Sequence, residues 1–158
     1  MRHDTGALLS SFPAPTLSTE QRLRPSWTED GRIVVAGGFS NPGLYLSDAG
    51  FTTFTRFDPM LSMPTQPSVS PDGKRVAFVI DQHVAVMNLD GSAFHMLTTG
   101  DGQESWPVWS PDGSKIGAWR SYTLITFDAA GGGTAYDVVA AHPETFYTFS
   151  TDLQFIWR

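Results

Sequence analysis

Short apolar stretches alternate with polar turns along the whole chain, and none keeps the i, i+3, i+4, i+7 spacing of a helix through its glycines and prolines. RIVVAG from Arg32, KRVAFVI from Lys74, SKIGAW from Ser114 and QFIW from Gln154 read as buried strands. A shorter apolar run precedes each of them and ends at Trp27, Val69, Trp109 or Phe149. After them come GLYLSDAG, VAVMNLDG and LITFDAAGGG, which close on Asp48, Asp90 and Asp128. A last β-prone stretch follows each: FTTFTRF, AFHMLTT and TAYDVVA. The pattern predicts units of four short antiparallel strands.

These units recur. RPSWTEDGRIVVAGG from Arg24, QPSVSPDGKRVAFVI from Gln66, WPVWSPDGSKIGAWR from Trp106 and a worn FYTFSTDLQFIWR from Phe146 align on Asp30, Asp72, Asp112 and Asp152, spaced 42, 40 and 40 residues apart. An all-β period of about 40 residues is the mark of a propeller blade. Turn chemistry explains the motif: Pro71 and Pro111 preset the second position of a type I turn, Asp72 and Asp112 bond nearby backbone, and Gly73 and Gly113 accept the left-handed conformation. The fold expected is all-β, with propeller blades of four antiparallel strands: three complete blades plus one split between the two ends of the chain. Residues 24–65, 66–105 and 106–144 are expected to form the complete blades. Residues 1–23 would supply the last two strands of the split blade and residues 145–158 its first two.

The Ser-Pro-Asp-Gly turns, with the Pro-x-Trp or Pro-x-Val that leads into them and the strand that closes on Asp-Gly, resemble the TolB-type β-propeller repeat. The second unit matches almost throughout and the third in its first half. The first departs at Thr28 and Glu29, and the fourth at Thr151 and Leu153. The resemblance covers essentially the whole chain and implies a propeller. Similar propellers include scaffolds that bind protein partners, gating domains of prolyl-oligopeptidase-like peptidases, and sugar-active enzymes. The family usually closes six to eight blades. Four blades therefore leave three arrangements open: two copies exchanging terminal strands into an eight-bladed homodimer, a piece of a longer propeller, or a four-bladed ring. The first is favoured, because first and second strands left bare near Arg158 would present an unpaired edge.

Composition narrows the chemistry. Aromatic residues make up 13% and apolar residues 41% of 158 positions, enough to bury a core and too many for a disordered tail. A net charge of −6 lacks the basic footprint of nucleic-acid binding. Eight of the 16 acids (Asp4, Asp48, Asp90 and Asp128 at one corner, Asp30, Asp72, Asp112 and Asp152 at the other) are claimed by turns. No run is apolar enough for a membrane span, and no signal-peptide pattern opens the chain. That reads as cytoplasmic, although similar propellers are often periplasmic or secreted. With no cysteine, and with His3, His83, His95 and His142 scattered, no metal site is expected; nor is any cofactor. No G-x-S-x-G motif or catalytic constellation is present, and Gly131–Gly133 reads as a hairpin turn.

The expected function is a non-catalytic scaffold for a protein partner or for self-assembly; the alternative is the propeller part of a larger peptidase or sugar-active enzyme. Loops build the binding faces of propellers. The candidate interaction surface is accordingly Phe39, Asn41, Met60, Met63, Asp81, Arg120 and Tyr122, with Trp106 as an aromatic anchor beside the loop residues Asp101, Gln103 and Glu104. Trp27 and Trp109 are expected to pack between blades, with Trp119 and Trp157 in the core of second strands.

Overall fold

Three four-stranded antiparallel sheets, each with its strands in sequential order, make up the computed structural model, which describes residues 24–38 and 40–142. β1 (Ser26–Trp27), β2 (Ile33–Ala36), β3 (Leu44–Ser47) and β4 (Phe54–Arg56) form the first. β5 (Thr65–Val69), β6 (Arg75–Ile80), β7 (His83–Asn88) and β8 (His95–Met96) form the second. β9 (Glu104–Trp109), β10 (Lys115–Arg120), β11 (Thr123–Asp128) and β12 (Tyr136–Asp137) form the third, followed by a single helical turn, α1 (Val138–Ala141). The fold is an all-β array of propeller blades. The expected strands of the split blade, with Asp4, Asp152 and Trp157, lie outside the described residues, as does Phe39.

The turns form as their chemistry dictates. Ser70 N–H donates to Arg75 O, Gly73 N–H donates to Ser70 O, and Gly73 sits at φ +66°. Asp72 accepts from the Ser70 hydroxyl and the Lys74 amide, and Asp112 from Ser110 and Ser114 in the same way. In the first blade, however, Thr28 N–H donates to Arg32 O, so this turn is one residue shorter. Ile33 therefore pairs with Trp27 where Val76 pairs with Val69, a shift that alignment on the aspartates conceals.

Blades stack face to face, which is why their second strands read as unbroken apolar runs. Val76, Phe78 and Ile80 of β6 join Val34, Ala36 and Leu44 of the first blade in one core. On the other face of β6, Ala77 meets Trp109, Ile116 and Ala118 of the third blade. The small Ala77 makes room there for the indole.

Two expectations are corrected. Trp109 is buried between blades, with its Nε1–H donating to Ser68 O and the Arg75 guanidinium over its ring, but Trp27 in the equivalent slot is 64% exposed. Trp109 leans on the preceding blade, and the described residues place no strand on that side of β1. The stretch TAYDVVA gives only the two residues of β12, because Asp137 turns the chain into α1 by accepting the Ala140 amide. Trp119 lies half-buried in β10.

Candidate functional site

The first strands of adjacent blades pack on one another, β1 against β5 and β5 against β9, and so lie on the inner side of the array. β5 carries a bulge at Gln66-Pro67 and β9 one at Trp106-Pro107: in each strand two residues stand opposite a single residue of the neighbouring strand. Gln66 and Trp106 take up positive φ, +54° and +56°. A proline, which has no N–H to offer a ladder, fits at such an irregularity. The bulge removes the Trp106 amide from its ladder, and Gln66 Oε1 of the preceding blade accepts that N–H at 2.5 Å. Arg24, which holds the same repeat position in the first blade, can only donate. Its guanidinium instead spans to the third blade and lies 4.4 Å from the centre of the Trp106 ring. Three equivalent positions, 24, 66 and 106, thus converge at the inner mouth of the array.

Beside them the second and third blades are joined through a buried carboxylate. Glu104 accepts from Arg120 Nε at 2.7 Å, from the Thr98 hydroxyl at 2.6 Å and from His83 Nδ1 at 2.9 Å, and its side chain has no exposed surface. Burial alone would raise its carboxyl, but the hydrogen bonds from Thr98, His83 and Arg120 outweigh burial and hold it below the ordinary 4.5. A cleft of about 510 Å³ opens at this junction, with Met63, Gln66, Asp81, Gln103, Glu104 and Ser121 on its walls. With every oxygen of Glu104 engaged and its carboxyl held ionised, the group is built to tie blades together rather than to move protons.

The sequence-predicted residues divide between the cleft and the surrounding rim. Met63, Asp81 and Glu104 line the cleft, and Arg120 reaches it through Glu104. Trp106 is not a freely exposed anchor; it is half-buried within β9 and covered by Arg24. Glu104 is likewise no loop residue, since it begins β9. Asn41, Met60 and Tyr122 stay apart from the cleft, although all three occupy connections at the same end of the sheets, where first strands begin and second strands end. Met60 and Tyr122 are 78% and 90% exposed. The Arg24, Gln66 and Trp106 set went unread as a site, and its signal is the x-Pro pair three residues ahead of each turn slot. Among the described residues no group of three or more His, Asp or Glu is placed to hold a metal ion, and no helix is long and apolar enough to cross a membrane.

No protein-family model matches the chain. It is 31% identical over 82 residues to the Tol-Pal system protein TolB of Francisella tularensis, an alignment covering 47% of this chain and 19% of that protein. The matched region is thus about a fifth of the length of the curated relatives. Among solved structures, a TolB from Agrobacterium tumefaciens superposes with a TM-score of 0.65 at 19% identity, covering 76% of this chain and 50% of that one. TolB from Acinetobacter baumannii gives a TM-score of 0.61 at 20% identity, covering 74% of this chain and 32% of that one.

Proposed function

The chain is an array of TolB-like β-propeller blades, and on that premise we propose that it is a non-catalytic scaffold that binds a protein segment at its inner mouth, its ring completed by exchange of terminal strands between two copies to give eight blades. The observation that carries the binding half is the convergence of Arg24, Gln66 and Trp106 from three successive blades. A half-buried indole under a guanidinium, flanked by amide groups and a cleft, is the composition of a protein-recognition hot spot. Exposed Met60 and Tyr122 widen the apolar rim on the same end of the sheets. Glu104 supports a scaffold over an enzyme, because its charge is committed to three donors that belong to the fold.

A peptide library selected on the wild-type chain tests the binding half. Binders should weaken at least about tenfold on the Trp106→Ala variant, as truncating a hot-spot aromatic does; equal binding to both would overturn the site. Light scattering tests the exchange. A mass of twice 17.3 kDa is expected, and a single-chain mass overturns it.

A further inference from the structure

The same two repeat positions meet at both described junctions, though through different atoms. The residue in the slot before the turn leans on the residue one position ahead of that slot in the preceding blade. Val69 N–H donates to Ser26 Oγ across the first junction, and Trp109 Nε1–H donates to Ser68 O across the second. Ser26 and Ser68 are equivalent positions in the repeat, and Thr148 is their counterpart in the worn copy that starts at Phe146. Trp27 occupies the slot of the first blade with its indole 64% exposed and Phe51 edge-on at 5.9 Å.

We infer that the exposed Trp27 face of the first blade is a docking slot for residues 146–152 of a second copy of this chain, with Trp27 Nε1–H donating to the Thr148 carbonyl. The inference rests on the exchange reading above and specifies its contact. The slot extends a pairing of repeat positions found at both described junctions, and the indole-to-carbonyl bond it uses is the one Trp109 makes to Ser68. The incoming segment also carries the slot residue Phe149 and the turn acid Asp152 at repeat positions. An indole buried at that junction, as Trp109 is, contributes both a large apolar area and a satisfied N–H, so one repeat position supplies affinity and register together. The second copy returns the same contact with its own Trp27, giving the self-complementary interface of a two-fold dimer.

The chain has no native cysteine, so introduced thiols report without background. Chains carrying Trp27→Cys and chains carrying Thr148→Cys are unfolded, mixed, refolded and treated with a short bismaleimide crosslinker. A two-chain product from the mixture, absent from either variant alone, is the expected result. A dimeric mass without that product overturns the slot and leaves strand exchange standing. A single-chain mass overturns both. A chain bearing both substitutions that crosslinks within itself as a monomer assigns the segment to its own chain and overturns the second copy as occupant. Pro25→Cys, at an exposed residue just ahead of β1, repeats the experiment with the indole in place, so a folding defect of the Trp27 variant does not decide the outcome.

Discussion

Asp58 and Thr98 hold the same post in successive blades: each side chain accepts an amide proton at the start of its blade's third strand. Asp58 Oδ2 takes Leu44 N–H at 2.7 Å, and Thr98 Oγ1 takes Val84 N–H at 2.9 Å. The two solve the remaining valences differently. Asp58 is buried and neutralised within its own blade by a two-pronged contact with Arg56, and it also receives the Leu61 amide. Thr98 passes its hydroxyl proton on to Glu104. Asp58→Ala strands the Arg56 guanidinium and two amides, so it should cost about 3–5 kcal/mol. Thr98→Val keeps the shape and loses one neutral hydrogen bond and one to the ionised Glu104, and should cost about 1.5–3 kcal/mol. Urea midpoints of the two variants against wild type check the order.

Glu104 supports a separate prediction because its partners come from both sides of a blade junction: His83 and Thr98 from the second blade, Arg120 from its own. Glu104→Gln preserves volume but sets amide protons against donors, and should cost about 1.5–3 kcal/mol, the range for hydrogen bonds to charged groups. Glu104→Ala should exceed it, since Arg120 then lies beside an empty, partly buried site. Thermal unfolding followed by tryptophan fluorescence reads the effect at the junction, because Trp106 and Trp109 lie on the same strand as Glu104.

The blades were legible because they are local. Each Ser-Pro-Asp-Gly turn fixes a hairpin by bonds spanning two to five residues, and the apolar runs that follow announce burial on both faces. Much of what escaped the reading depends on residues brought together only by the packed blades, at Trp106 on partners 40 residues or more away. Nothing near Trp106 in sequence announces that Gln66 will serve its amide or that Arg24 will cover its ring. Trp27 and Trp109 share a sequence slot and differ in burial, since a neighbouring blade and not the slot decides that property. Glu104 sits in a polar stretch that reads as loop, and its burial follows from three donors contributed by separate strands and a loop. The shortened first turn was hidden because its aspartate still aligns.

The two glycines of the repeated turns should not tolerate alanine equally. Both hold left-handed backbone, Gly73 at φ +66° and Gly113 at φ +70°, and a side chain there costs about 1–2 kcal/mol. At Gly73 an added Cβ would also come within 3.3 Å of Glu29 Cβ in the first blade, while at Gly113 the nearest atom, Arg75 Nη2, stands 3.7 Å away. Gly73→Ala should therefore be the more damaging, as judged by chemical denaturation. The double variant with Glu29→Gly should bring Gly73→Ala back to the cost of Gly113→Ala.

Acid should unfold the chain in a narrow window set by its turn aspartates. Hydrogen bonds from Arg32 and then Thr28 bring Asp30 down to about 2 from the ordinary 3.8, and bonds from Ser110 and Ser114 do the same for Asp112. Asp72 is lowered by Ser70, Asp48 by Thr52 and Asp90 by Ser92. A carboxyl lowered in the folded state binds fewer protons there than in the unfolded chain. Its contribution to stability is therefore complete above the unfolded value of 3.8 and is lost as the pH falls through the folded value of about 2. Urea midpoints should hold steady down to about pH 4 and then drop steeply toward pH 2. Asp112→Asn should be less stable than wild type at neutral pH, with the gap narrowing as the pH falls toward 2, since the wild-type carboxyl is then losing its charge. A gap that stayed constant across the window would show that the Asp112 charge does not hold the turn.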